Sequence, residues 1–410
     1  MSGATIFEEH SEVLAHWFGS GVRDATLIYL DAHLDLQFID PARIARLAAC
    51  TSAQQIRRLE SPHCLSPDRS ACYGIEDFLY PAAQLGMLRR VVWVAPPHVL
   101  GGGMASALRG LLQMEGVTID ELETFHIGAG GVLEGRLLGV ALTICVLEQL
   151  PELQLDGPLL VDIDADYFVV VPADVVWANP AAVVAALKKV AGPQASLTIA
   201  RSVGSGFMPL QFDHIADELA ALWEGRSQVV RRQVGDDLVR RLCEFRARRI
   251  GLDLSKALAL QREVAAAGLE AGRQAIAWIA LGRLFAAFGR VEDTIACDGQ
   301  GAGHPELALD IAKLHMARGR HGAAAAYLER AAADDETRVG AWLLQAECRY
   351  AAGDKVGARA AAWKAHAAAP SWPLALQRLS EYAAQDEAPA LRERQADLER
   401  RIGLLAARLA

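Results

Sequence analysis

The stretch Leu27-Ile28-Tyr29-Leu30-Asp31-Ala32-His33-Leu34-Asp35 decides how this 410-residue chain is read. Four apolar or aromatic residues run straight into an acid, an imidazole and a second acid at alternate positions. The run is short and rich in strand formers, so it predicts a buried β-strand. Residues two apart on a strand face the same way, which predicts Asp31, His33 and Asp35 in one row on one face. Two carboxylates and an imidazole at the end of a buried strand carry a large desolvation cost. A bound divalent cation would offset it.

A second stretch, Leu159-Leu160-Val161-Asp162-Ile163-Asp164-Ala165-Asp166-Tyr167-Phe168, repeats the design. Three carboxylates on one strand face repel one another unless they are protonated or hold a metal. Either motif alone fits an acidic loop or a capping aspartate. Two of them, each after an apolar strand, point to a metal centre.

Outward from these motifs, residues 5–23 show helical spacing after His10, with Val13, Leu14 and Trp17 on one side. By itself His10 reads as a surface or capping residue near the helix start. A helix is predicted from Pro41 to about Ala53, then a Pro- and Ser-rich loop at 61–68, a helical segment to Leu88 and a strand over Arg90–Ala95. Gly101–Gly103 make a turn without the strand–GxGxxG–helix context of a phosphate loop, ahead of a helix at about 104–114. Val117–Phe125 and Gly139–Val146 are weaker strand candidates, 158–163 is the second ligand strand, and a helix at about 180–191 precedes a strand over 196–201. Helix dominates from about 210 onward. Strands alternating with helices predict an α/β fold, a mostly parallel sheet flanked by helices. In such sheets ligands bind beyond the carboxyl ends of the strands, where both acidic motifs fall.

From about 255 the chain is Ala-rich and repetitive. Ala312, Gly319, Ala324 and Ala331 are matched 34 residues on by Ala346, Gly353, Ala358 and Ala365. That period, with Trp342 and Pro370 in fitting positions, is the tetratricopeptide pattern of paired helices. Trp278, Leu281, Gly282, Phe285 and Gly289 form a looser copy. The expected organisation is a metal-hydrolase domain over residues 1–250 and a helical repeat domain over 255–410. Each repeat buries its face only against neighbours, so docking on the first domain or on another subunit, giving a homo-oligomer, is expected. An Ala-rich bundle without recognition function is the alternative.

The net charge of −9 argues against a nucleic-acid binder, although a locally basic cleft is compatible with it. Seven scattered cysteines without zinc spacing predict a reduced, cytoplasmic protein. The first residues lack the features of a signal peptide, and no uncharged apolar run reaches membrane-spanning length.

With Asp-x-His-x-Asp and Asp-x-Asp in hand, residues 5–210 resemble the ureohydrolase superfamily of arginases and agmatinases and, more distantly, histone deacetylases. The family's Asp-Ala-His-x-Asp is matched by Asp31-Ala32-His33-Leu34-Asp35. Its Ser-x-Asp-x-Asp is matched by Asp162-Ile163-Asp164-Ala165-Asp166, with Asp162 in place of the serine. Glu8-Glu9-His10-Ser11 stands where the family has Gly-Gly-Asp-His-Ser. The Glu-Glu-His-Ser-Glu-Val-Leu opening and the Asp-Ile-Asp-Ala-Asp-Tyr-Phe ending look most like the peptide arginases, which convert arginine to ornithine within ribosomally made precursor peptides.

The resemblance implies two metal ions, and the hard, oxygen-rich set suits Mn²⁺, with Fe²⁺, Co²⁺ or Zn²⁺ as alternatives. His10, Asp31, Asp35 and Asp164 would hold one, and His33, Asp31, Asp164 and Asp166 the other, with Asp31 and Asp164 bridging. It implies attack of an activated water on a guanidinium carbon, Asp166 moving a proton, and release of urea from an arginine-containing peptide. Arginases carry a proton-shuttling histidine in the loop after the second motif. His63 lies in a comparable loop, with His126 and His98 as further candidates. They also place a glutamate after the third motif against the guanidinium. Here Arg201-Ser202-Val203-Gly204-Ser205-Gly206-Phe207 holds no acid, leaving Glu76 or Asp77 for substrate binding. Asp162 is expected to support a ligand rather than bind metal. A metal-dependent amide hydrolase or deacetylase on the same fold, and a non-catalytic repeat scaffold, are the alternatives.

Overall fold

The computed structural model describes residues 3–101, 103–192, 195–229, 232, 237–248 and 253–409. Gly102, in the glycine run considered above, lies outside them. The chain divides into two units: residues 1–107 with 124–250, and residues 108–123 with 251–410.

The first unit is built on a sheet. In chain order its elements are β1 (Ala4–Phe7), α1 (Glu12–Gly19), β2 (Ala25–Leu30), α2 (Pro41–Ala48), α3 (Ala53–Arg57), α4 (Leu79–Gln84) and β3 (Leu88–Val94). After α5 (Met104–Leu111) and α6 (Ile119–Leu122) come β4 (His126–Ile127), β5 (Leu133–Leu137), β6 (Val140–Cys145), β7 (Leu159–Asp164), the short hairpin β8 (Val169–Val170) and β9 (Val175–Val176), α7 (Pro180–Ala191), β10 (Ser196–Ala200), α8 (His214–Glu224) and α9 (Leu238–Arg248). The sheet has eight strands in the order β1-β10-β7-β2-β3-β6-β5-β4. The pairs from β1 through β6 are parallel, and β5 and β4 close one edge antiparallel.

Burial follows from composition. All six residues of β2 are buried, as a central parallel strand covered on both faces requires. Ile28 and Leu30 join Val161, Ile163, Leu197 and Ile199 beneath Val183, Leu187, Leu219 and Trp223 of α7 and α8. Tyr29 points the other way, toward Phe78, which also meets Trp17 of α1. The start of α7 is set by Pro180 after an Asn179 whose side chain accepts from Ala181 and Ala182 N–H.

Several local readings are corrected. Val117–Phe125 is no strand: Thr118 caps the single turn α6 through its bond from Glu121 N–H, the Thr-x-x-Glu signature of a capping box. The helix expected over Pro41–Ala53 is broken into α2 and α3, the second started by Ser52 accepting from Gln55 N–H. The edge strand β1 and the antiparallel strands β4 and β5 escape a periodicity reading because each is short or half exposed.

The second unit is all-helical: α10 (Leu254–Ala266), α11 (Ala271–Ala287), α12 (Val291–Gln300), α13 (Pro305–Ala317), α14 (His321–Ala331), α15 (Asp335–Ala351), α16 (Lys355–Ala368), α17 (Pro373–Tyr382) and α18 (Ala388–Leu409). Ala308, Ala312, Ala324, Ala331 and Ala341 form the seam between α13, α14 and α15, and Ala346, Ala358, Ala361 and Ala362 the next one. The 1–250 boundary is amended, because Leu108–Glu123 belongs to this second unit. Gly116 N–H bonds Ala368 O at 2.8 Å, Ser371 Oγ donates to Val117 O at 2.8 Å, and Ile119 packs on the cluster of Leu391 and Leu398. No helix among the described residues is long and apolar enough to cross a membrane.

Candidate metal centre

Because β1, β10, β7 and β2 are neighbours and parallel, their carboxyl ends lie along one rim of the sheet. Chain order reverses between β2, which continues to β3 on one side, and β7, which continues to β10 on the other. That is the switch point where open α/β sheets form their crevice. His10 follows β1, Asp31 to Asp35 follow β2, Asp162 and Asp164 end β7, and Ser202 follows β10.

His10 is buried and stands at the centre. Its Nδ1 lies 3.0 Å from Asp31 Oδ2, 3.1 Å from Asp164 Oδ2 and 3.4 Å from Asp35 Oδ2. Its Nε2 is 2.6 Å from Asp162 Oδ2, and Thr198 Oγ1 donates to the other Asp162 oxygen. The ring lies on Tyr29 and Phe78, with centroids at 5.4 and 4.8 Å. Although three carboxylate oxygens surround it, Nδ1 is a buried polar atom without a well-formed hydrogen bond.

The two acidic stretches depart from the expected rows. β2 ends at Leu30, and Asp35 takes a left-handed backbone with φ 39°. That turn brings its carboxylate back to Tyr29 Oη at 2.9 Å, and Tyr29 Oη also donates to Asp31. His33 swings to the mouth, its side chain 52% exposed, with Nδ1 3.0 Å from Asp166 Oδ2. Asp162 and Asp164 are on β7, but Asp166 sits in the 3₁₀ turn beyond it, its N–H donating to Asp164 Oδ1 at 3.0 Å. Trp93 Nε1 holds the Asp31 carbonyl at 2.9 Å.

Two groups result whose ligand atoms all lie within 4.8 Å of one another: His10, Asp31 and Asp164, and Asp31, His33 and Asp166. Asp31 belongs to both. The donors are imidazole nitrogens and carboxylate oxygens, a set that fits a hard or borderline divalent cation rather than a soft, thiolate-bound one. An inward-facing Nδ1 among three acids fits a cation held between them.

The electrostatics express the same crowding. Burial, then the charges of Asp164 and Asp31, holds the Asp166 carboxyl well above the ordinary carboxylate range. Burial and the charge of Asp31 push Asp35 up to about 7. Burial pulls the His10 imidazole down, but the charge and hydrogen bond of Asp162 carry it well above its ordinary value. His33 is pushed up to about 12 by Asp166 against the opposing effect of burial.

The loop after β10 secures the rim. Ser202, at φ 51°, donates from Oγ to Asp164 Oδ2 at 2.5 Å, and its N–H bonds Glu8 O at 2.8 Å. A non-glycine residue in this backbone region costs about 1–3 kcal/mol, so its neighbours must hold it there. Arg201 supplies part of that hold through buried pairs with Asp213 and Asp217.

The remaining candidates fall in different places. His63 Nδ1 accepts from Leu65 N–H at 2.9 Å, which leaves the ring proton of a neutral imidazole on Nε2. The charge of His63 is felt by Glu9, whose carboxyl is pushed up to about 7 chiefly by burial. His126 does not join the site. It lies exposed on β4, four strands from β2, or roughly 19 Å at the ordinary strand spacing. His98 packs edge-on against Trp177 at 6.0 Å. Glu76 accepts from Gln37 Nε2 at 3.1 Å and Asp77 from Gly74 N–H at 2.7 Å, so both are tied into the loop before α4.

Sequence reasoning missed Tyr29, Thr198 and Ser202. Tyr29 was available, since it lies two residues before Asp31 and so on the same strand face. Thr198 and Ser202 depend on strand order, which periodicity does not contain. All seven cysteines are free. No protein-family model matches the chain, and no curated protein matches it.

Proposed function

We propose that the chain is a binuclear metal-dependent hydrolase of the ureohydrolase type, converting arginine within a peptide to ornithine and releasing urea. The observation that carries this reading is the pair of His/Asp groups sharing Asp31, one of them built around the inward-facing Nδ1 of His10. His10, Asp31, Asp35 and Asp164 would hold one Mn²⁺, and His33, Asp31, Asp164 and Asp166 the other. Bound ions of this kind supply an activated water at neutral pH.

The chain's own residues do the rest. Asp162 fixes the His10 ring from behind, and Ser202 and Tyr29 fix the Asp164 and Asp31 carboxylates. Asp166, buried beside the exposed His33 ring, is the residue we assign to accept a proton from the attacking water. Addition of water to the guanidinium carbon and cleavage of its bond to the side-chain nitrogen leave urea. The departing amine needs a proton, and we assign that role to His63, whose Nδ1 accepts from Leu65 N–H and whose Nε2 lies 3.6 Å from Cys243 Sγ. The helix pairs of the second unit, read as tetratricopeptide-like repeats, offer a surface for the precursor peptide and for self-association.

The test is to load the purified chain with Mn²⁺, count bound metal, and follow urea release and the guanidino-to-amino mass change in an arginine-containing peptide. Two ions per chain with urea is the expected result. The variant D164A should lose both. One ion per chain, with acetyl release from an acetyl-lysine peptide instead, would transfer the site to the amide-hydrolase alternative.

A further inference from the structure

The metal ligands account for the reacting centre but not for the choice of a cation as substrate. A guanidinium is planar and delocalised, and it is matched by a carboxylate that can receive two parallel N–H bonds. Asp31, Asp35, Asp164 and Asp166 are committed to His10, His33, Tyr29 and Ser202. The selecting acid must come from elsewhere on the rim.

The segment Glu8-Glu9-His10-Ser11-Glu12 carries three acids, and two of them have structural tasks. Glu8 pairs with Arg232 at 2.6 Å and accepts from Gly204 N–H at 3.1 Å. Glu12 accepts from both Glu8 N–H and Glu9 N–H at 3.1 Å. Glu9 differs. Its half-buried side chain reaches over the loop after β10, where a Cβ on Gly204 would stand 2.6 Å from Glu9 Oε1. Its carboxyl shares its surroundings with the Ser205 hydroxyl, the His63 imidazole and the Asp164 carboxylate. Glu9 belongs to neither His/Asp group, yet it lies next to the residue at their centre. Phe207, three residues beyond Gly204, meets the exposed His33 ring edge-on at 5.4 Å, which marks this loop as one wall of the mouth.

We infer that Glu9 is the residue that recognises the guanidinium of the substrate, held over the metal rim by the space that Gly204 leaves. This assignment rests on the guanidino-hydrolase reading. It gives the β1 turn two tasks on consecutive residues: Glu9 receives the cation, and His10 anchors the centre that acts on it. A neutral acyl-lysine needs no such carboxylate, so Glu9 also separates the guanidino from the amide substrate class.

The experiment uses the full Mn²⁺-loaded chain and a capped tetrapeptide with one internal arginine, comparing wild type with E9Q and E9D. Loss of a charge-assisted pair predicts a KM about 10–100-fold higher in E9Q, with a much smaller fall in kcat. Bound metal and Tm should match wild type, and E9D should recover part of the loss. An E9Q enzyme with KM within about twofold of wild type would overturn the assignment. So would lost metal with unchanged KM, which would make Glu9 a support for His10. If the wild type releases urea, either of those outcomes removes Glu9 alone. If it releases none, the guanidino reading itself falls and the assignment with it.

Discussion

His10 shows how one side chain can carry a site. Its two nitrogens have opposite surroundings: Nε2 is pinned by Asp162, which Thr198 pins in turn, while Nδ1 faces three acids. A carboxylate behind a ligating imidazole fixes its orientation and raises its basicity, and losing such a partner costs about 10–100-fold in metal affinity. D162N should therefore bind Mn²⁺ about that much more weakly, with an unchanged circular dichroism spectrum. Titration of the metal-free protein checks it, and wild-type affinity in D162N would remove the role. A second residue-scale prediction concerns Glu60, which accepts from Ser11 Oγ at 2.7 Å. Burial pushes its carboxyl from 4.5 up to about 7. The folded protein then binds more protons than the unfolded chain between those values, so this contribution to stability is full below pH 4.5 and is lost as pH rises through about 7. E60Q keeps an acceptor for Ser11 and removes the charge. Above pH 7 it should be more stable than wild type by on the order of 1–3 kcal/mol, with the gap closing toward pH 4.5. Denaturant melts at both pH values test this, and a gap that does not change with pH would refute it.

At the scale of elements, the rim exists because parallel strands end together. Apolar runs and the acids that end them are local properties, so β2, β3, β7 and β10 were legible from residues alone, as were the alternation that implies a parallel sheet and the small-residue period of the helices. The rows of ligands were not. Asp35 reaches the cluster through a left-handed turn and Asp166 through a 3₁₀ turn, whereas strand periodicity assumes an extended chain. His126 shows the reverse failure: it sits in an apparently suitable sequence context but on a strand that topology sends to the sheet edge. The loop after β10 is likewise shaped by a distant element. Gly206 has φ 84°, and a Cβ there would lie 2.7 Å from the Cys243 carbonyl oxygen and the Glu244 nitrogen of α9. Left-handed backbone alone costs a non-glycine residue about 1–2 kcal/mol, and the blocking atoms are backbone, which cannot rotate away. G206A should lose about 2–4 kcal/mol and weaken Mn²⁺ binding through the displaced Ser202. Thermal melts with and without metal check both effects, and a Tm like wild type would mean that α9 does not pack there.

Across the whole molecule, the chain leaves the sheet unit after Ala107, spends residues 108–123 in the helical unit, and returns. That excursion is well anchored. Val117 and Leu122 are fully buried, Arg338 pairs with Glu115 at 3.1 Å, and Arg401 pairs with Glu123 at 2.7 Å and with Asp120. The Arg401 pairs are largely exposed and contribute about 0–1 kcal/mol each, so the half-buried Arg338–Glu115 pair and burial of the apolar residues, at about 1.5–3 kcal/mol for a large side chain, are what hold the segment. Cutting the chain at residue 250 looks from composition like a clean removal of the repeats. It would instead leave 108–123 attached to the sheet unit without the helices that bond Gly116 and Val117 and pack on Ile119. Fragment 1–250 should therefore be cut by a glutamate-specific protease at Glu115, Glu121 or Glu123 under conditions that leave the full chain intact, and it should self-associate on size-exclusion chromatography. A monomeric fragment as resistant as the full chain would show that 108–123 folds without the second unit. If the expected cleavage is seen, loss of peptide processing in that fragment would not by itself assign peptide binding to the repeats. Substitutions on the helix surfaces of the intact chain would then be needed to test the repeats as the peptide platform.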